Sequence, residues 1–175
     1  MAEDKANIDF AALVKDRLPA LLLYARQWPH DSPEDVVQEA FISLMNQPQQ
    51  PQNVTHWLFT VVRNHSNKIL RTRKRQRERE QRFSSQKEAW FAQEVDLADQ
   101  NDEINRLVAE LKLLPPKYRK IIVAKIWGKL TFAEIAEIHG TSSSSVHRDY
   151  HAGLKILKDN LTKLIDEVKN DSKTK

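Results

Sequence analysis

The chain reads as an all-α protein of two small helical domains joined by a flexible linker, and three observations predict it. There are only three glycines in 175 residues, too few for the many tight turns of a β-rich fold. Apolar residues recur at the three-to-four spacing of helices through most of the chain. Helix start and stop signals punctuate that pattern at Ser32-Pro33, Pro115-Pro116, Thr131 and Gly140. The predicted boundaries are 8–76 for the first domain, 77–100 for the linker and 101–168 for the second domain.

In the first domain Phe10, Leu13, Val14 and Arg17 open a helix, and Pro19 predicts a break or a new start. Leu21, Leu22, Tyr24, Ala25 and Trp28 then form a strongly apolar second helix. Ser32 predicts the next N-cap, with Pro33 at the first helical position and Asp35 reaching back. The apolar face of this helix is Val36, Val37, Ala40, Phe41 and Leu44. An amide-rich loop, Gln47–Asn53, follows. A last helix opens near Thr55 and carries Trp57, Leu58, Val61, Val62, Ile69 and Leu70 into a basic run. In the linker the periodicity weakens, and Phe83, Trp90, Phe91, Val95 and Leu97 stand among polar and acidic residues. So short a segment cannot bury a core of its own.

The second domain starts with Ile104, Leu107, Val108 and Leu111 at helical spacing. Pro115-Pro116 stops that helix and starts another bearing Tyr118, Ile121, Ile122, Ala124 and Trp127. Thr131 with Glu134 predicts a capping box. Phe132, Ile135, Ala136 and Ile138 follow at helical spacing, and Gly140 suits a left-handed exit. Thr141 or Ser142 caps the last helix, which turns Val146, Tyr150, Leu154 and Leu157 inward and Ser144, His147, Arg148 and His151 outward. This is a helix-turn-helix sized for a DNA major groove, or else an ordinary helical hairpin.

Composition narrows the function. The net charge of +4 is modest, so what matters is where the charge sits. The absence of cysteine excludes disulfides, thiolate metal sites and cysteine nucleophiles, and fits a reducing cytoplasm. The polar start MAEDKANIDF is not a signal peptide, and no apolar run approaches the ~20 residues of a membrane span. His147 and His151 are four apart, yet no third ligand has metal-site spacing. There is no phosphate loop and no nucleophile elbow. Neither an enzyme nor a metal or other cofactor is expected.

The chemistry lies in charge placement. Residues 68–82 hold eight Lys or Arg against two Glu, at the end of a helix whose upstream face has Arg63, Asn64, His65 and Asn67. Cations and amides on one helix suit phosphate and base-edge contacts together. Asp35, Gln38 and Glu39, beside Glu34, form an acidic stripe. It repels phosphate, so it is either a solvated surface or a face for a basic protein. Trp57, Phe59 and the amide loop are either core or a platform for single-stranded nucleic acid beside a positive groove.

In order, SPEDVVQEAFISL, HWLFTVVRNHSNKILRTRKR and LPPKYRKIIVAKIWGKLTFAEIAEIHG resemble a bacterial RNA polymerase sigma factor of the extracytoplasmic-function class. The resemblance spans about residues 8–76 and 102–165. It implies that Asp35, Gln38 and Glu39 dock on the clamp region of core RNA polymerase. It implies that Asn53, Trp57, Arg63, Asn64, Lys68, Arg71 and Arg75 engage the −10 element of promoter DNA and capture its open strand. In the second domain, it assigns His147, Arg148 and His151 to base-facing positions at the −35 element, with Arg119, Lys125 and Ser145 on phosphate. It further implies an anti-sigma factor as a partner. The acidic linker residues Glu88, Glu94, Asp96 and Asp99 would mimic nucleic acid on the path toward the RNA exit. The chain departs from the family where recognition helices are crowded with arginine, as in VKSRLHRAR, since Asp149, Ala152 and Gly153 stand there instead. Fewer −35 contacts are expected as a result. A stand-alone helix-turn-helix regulator is the alternative, although no dimer helix is evident.

Overall fold

The computed structural model describes residues 9–29, 31–80 and 111–171. The chain forms two compact units, Met1–Phe91 and Ala92–Lys175, and all regular structure among the described residues is helical. The predicted linker beyond Glu80, with its acidic residues, and the predicted helix of Ile104, Leu107 and Val108 lie outside the described residues.

The first unit holds α1 (Phe10–Ala25), α2 (Pro33–Met45) and α3 (Val54–Glu80), each packed against the other two. Leu21, Tyr24, Val37, Leu58, Phe59 and Val62 are fully buried at their junction. The Tyr24 ring meets Phe59 at 4.7 Å and Trp28 edge-on at 4.9 Å between centroids. Burial pushes the Tyr24 phenol well above its usual range, with the nearby Arg63 charge opposing the shift.

Pro19 does not break α1, contrary to expectation; it lies inside one continuous helix. A mid-helix proline removes one backbone bond and costs about 3 kcal/mol. Pro19 and Lys15, four residues before it, are exposed, so water reaches the orphaned carbonyl. Continuity meanwhile keeps Ala20, Leu21, Tyr24 and Ala25 buried, at about 1.5–3 kcal/mol for each large apolar side chain. Burial wins. Ser32 also behaves differently from expectation. It sits at the N-cap position of α2 without a side-chain cap bond, its carbonyl merely accepting from the Val36 amide at 3.3 Å. Pro33 fixes the first turn instead, and Asp35 makes no bond back to it among the described residues. The cap of α3 is Asn53, one residue earlier than Val54, and its Oδ1 accepts from the His56 amide at 3.0 Å. α3 continues past Gln76 as far as Glu80.

In the second unit a helical turn at 111–113 leads through Pro115 into α4 (Pro116–Ile126), α5 (Phe132–His139) and α6 (Ser143–Asp171). The capping box is present. Thr131 Oγ1 accepts from the Glu134 amide at 3.2 Å, and the Glu134 carboxylate accepts from the Thr131 amide at 2.6 Å. Gly140 adopts φ 65° and ψ 43°, and Ser142 Oγ caps α6 by accepting from the Ser145 amide at 3.2 Å. Leu111, Leu114, Ile122 and Leu157 form one core cluster, with Trp127, Tyr150 and Leu154 packed on it.

Gly153 lets α6 lie close on α4. A Cβ added there would come within 2.8 Å of Ile122 Cδ1 and 2.9 Å of Tyr118 Cβ. Gly153→Ala gains about 1 kcal/mol of helix propensity but overpacks the contact by about 1–3 kcal/mol. Since Tyr118 Cβ is tied to the α4 backbone, the two helices must separate to relieve it. The expected result is a net loss of about 1 kcal/mol, read as a lowered thermal midpoint. A midpoint at or above that of the wild type would show that the interface yields freely.

Candidate polymerase and nucleic-acid interfaces

On α2, Asp35, Gln38 and Glu39 lie at spacings of three and four and are all exposed, so they share one face. Their acidic neighbours are spoken for. Glu34 pairs with Arg26 at 2.9 Å, and Asp31 pairs with Arg73 of α3. Asp35, Gln38 and Glu39 have no side-chain partner among the described residues. The structure thus leaves an uncompensated acidic face on α2. Beside it a cleft of about 410 Å3 runs between α2 and α3. Val36 and Ile69 contribute its apolar lining, Asp35 and Glu39 lie along α2, and His65, Lys68 and Arg73 lie along α3.

On α3, Trp57, Asn64, Lys68, Arg71 and Arg75 fall within about 60° of the helix circumference. Asn64, Lys68, Arg71 and Arg75 are exposed and Trp57 is half-buried. This gives a row about 27 Å long (18 residues at 1.5 Å each) with an aromatic at one end and cations at the other. Among the described residues no cation in this row has a carboxylate partner. Arg63 lies about 120° off the row and is half-buried, close enough to Tyr24 for its charge to act there. Asn53 stands at the head of α3 with Oδ1 committed to its cap. Asn67 is not part of an outward face with Arg63, Asn64 and His65. It is half-buried and accepts a 3.0 Å bond from Trp28 Nε1, which ties α3 to the end of α1.

In the second unit Ser144, His147, Arg148 and His151 are exposed on the first turns of α6, while Ser145 is half-buried. Ser145 Oγ accepts from Arg148 Nη2 at 3.2 Å. His147 and His151 share a hydrogen bond between their Nε2 atoms at 3.1 Å, and the His147 ring meets Phe132 edge-on at 5.0 Å. The other two predicted −35 residues are engaged internally. Arg119 is half-buried and donates from Nη1 to the Lys112 carbonyl at 3.0 Å. Burial lowers its pKa. Lys125 donates from Nζ to the Leu130 carbonyl at 3.0 Å and lies 4.8 Å over the Phe132 ring, closing the turn in which Lys129 takes φ 54°. Asp149 is no empty place on the DNA-facing surface. It is buried and ion-paired to Lys117 at 2.8 Å. Its spacing of three from Val146 and four from Gly153 signals that inward position.

Among the described residues no group of three or more histidine or acidic side chains is placed to hold a metal ion, and no helix is long and apolar enough to cross a membrane.

A three-helix unit with acidic side chains on α2 and basic ones on α3 stands in one chain with a helix-turn-helix unit. A model of sigma-70 region 2 matches residues 13–79, and one of sigma-70 region 4 matches residues 104–157. The chain belongs to the sigma-70 family and is of the extracytoplasmic-function type. It is 26% identical over 139 residues to RNA polymerase sigma factor SigV of Bacillus subtilis (strain 168), covering 76% of this chain and 78% of that one. The fold is similar to that of the sigma factor RpoE in complex with the anti-sigma factor NepR from Bartonella quintana. There the TM-score is 0.61 at 22% identity, over 88% of this chain and 97% of that one. It is also similar to CnrH in complex with the cytosolic domain of CnrY, with TM-score 0.53 and 23% identity over 88% of each chain. The helical units and the matches to two sigma-70 regions agree with the all-helical fold and the two units expected from the sequence.

Proposed function

We propose that this protein is an alternative sigma factor that directs RNA polymerase to specific promoters, acting in the cytoplasm and without catalysis of its own. The observation that carries the reading is the sorting of charge in the first unit. Asp35, Gln38 and Glu39 stand unneutralised on α2, while the cationic row of α3 stands unneutralised beside them. Neither face has an ion-pair partner among the described residues, and their signs suit different ligands.

Docking of the α2 face on the clamp region of core polymerase leaves the α3 row for promoter DNA. Lys68, Arg71 and Arg75 hold backbone at the −10 element, Asn64 and the head of α3 at Asn53 meet bases, and Trp57 offers a stacking surface. Trapping unstacked bases offsets an unpairing cost of a few kcal/mol. Arg63, half-buried and off the row, has a lesser part in DNA contact. In the second unit His147, Arg148 and His151 read the −35 element and Ser145 orients Arg148. Arg119 and Lys125 brace the unit from within and contribute mainly through their charge. The structural neighbour in complex with the anti-sigma factor NepR supports an anti-sigma factor as a further partner.

The test is transcription in vitro with core polymerase on genomic fragments, followed by start-site mapping. New, reproducible start sites support the reading. Failure to start RNA synthesis on any template, together with tight binding to intact duplex by the chain alone, overturns it in favour of a stand-alone regulator. Arg148→Ala should weaken discrimination at one −35 position by about 1–3 kcal/mol. A uniform loss over all sequences would place Arg148 on phosphate only.

A further inference from the structure

From the geometry beneath the recognition helix we infer that Asp149 and Lys117 are a positioning pair for promoter discrimination, setting the angle at which α6 presents His147, Arg148 and His151. The inference rests on the −35 reading of the second unit and adds two residues that act through the placement of α6.

Asp149 is 6% exposed, and its carboxylate meets Lys117 Nζ at 2.8 Å, with the lysine side chain 63% exposed. Burying a carboxylate is costly, and an apolar residue of similar volume is often as stable or more so. Stability alone therefore gives little reason for an aspartate here. What it adds is direction, because a charge-assisted hydrogen bond is short and oriented, whereas apolar contacts allow one helix to roll on another. The pair has a second point of contact beside it. Tyr118, next to Lys117 on the first turn of α4, lies against Gly153, one turn beyond Asp149. Two anchors about 6 Å apart along α6, one charged and one steric, fix both roll and tilt.

The consequence falls on the opposite face. Asp149 lies about 150° around α6 from the middle of the exposed set. A roll of about 20° would move a side-chain tip lying about 6 Å from the axis by about 2 Å, and a hydrogen bond to a base edge does not survive that displacement. The same reasoning explains why this recognition helix carries Asp149 and Gly153 rather than further arginines. Both positions face α4 and serve the placement of the outward residues.

Charge provides the decisive control. Asp149→Asn makes the unit more positive and Lys117→Met makes it less so, so on electrostatics alone they shift DNA affinity in opposite directions and equally for all sequences. On the positioning reading both lower the same quantity. The experiment measures transcription by core polymerase with the full-length chain, on a promoter selected from genomic fragments and on variants of it substituted through the −35 element. The preferred-to-substituted activity ratio should fall about tenfold, the worth of roughly one good base-edge contact, in both single variants. It should fall likewise in Asp149→Asn/Lys117→Met, which restores net charge and leaves no buried ion unpaired. Thermal melting of the double variant checks folding, and it remains the test should either single variant fail to fold. Ratios that move apart according to charge, or a double variant that discriminates like the wild type, overturn the proposal. If the wild type itself ignores −35 substitutions, the −35 reading fails and the inference falls with it.

Discussion

Replacing Asp35 and Glu39 together by alanine is expected to abolish binding to core RNA polymerase while leaving the fold intact. Both side chains are exposed and without an internal partner among the described residues, so their removal strands nothing inside the unit. Locally the changes nearly cancel. Relief of like-charge repulsion at i, i+4 gains a few tenths of a kcal/mol, and loss of an acidic residue from the first turn costs about 0.3–1 kcal/mol. Helicity and melting should therefore match the wild type. At an interface with a basic partner each lost carboxylate costs about 2–5 kcal/mol when it is desolvated and paired, enough to remove the complex from a pull-down at micromolar concentration. Glu34→Ala is the control on the same helix. Its carboxylate is turned to Arg26, and polymerase binding should survive its loss. A double variant that is still retained by core polymerase would remove the docking assignment.

The second large effect is expected from Lys68→Ala/Arg71→Ala/Arg75→Ala. These exposed cations occupy one row of α3, and alanine is at least as good a helix former. Stability should stay within about 0.5 kcal/mol of the wild type. Binding of the holoenzyme to a forked −10 probe should weaken, and the dependence of log affinity on log salt should become shallower by about two to three units. That range follows from roughly 0.7 per phosphate on single strands and 0.9 on duplex. Polymerase docking should persist, because the α2 face is untouched. Weaker binding with an unchanged salt slope would mean that the row is solvated surface and that the loss arises elsewhere.

The helices of this protein are legible in its sequence wherever their cause is local. The Thr131 and Glu134 capping box, the left-handed Gly140 and the Pro115-Pro116 punctuation each depend on residues within a few positions of one another, and each forms as read. The inward and outward stripes of α6 are equally legible, because periodicity places Val146 and Leu157 in the core and His147, Arg148 and His151 in solvent. The acidic and basic runs could be seen as runs, and the family resemblance supplied roles for them.

What sequence spacing did not contain was pairing across elements. Pro19 reads as a break until the core under α1 is known. Asn67 reads as an outward amide until Trp28 donates to it from 39 residues away. Arg119 and Lys125, which the family resemblance put on phosphate, each donate to a backbone carbonyl of their own unit. Asp149 reads as a missing arginine until Lys117 is found beneath it. The division has one physical cause. Caps, periodicity and turn conformation are settled by neighbours a few residues apart, so they are written in order along the chain. A long polar side chain chooses between water, a ligand and a distant partner by small differences in free energy, and that choice exists only once folding has brought the distant partner within reach.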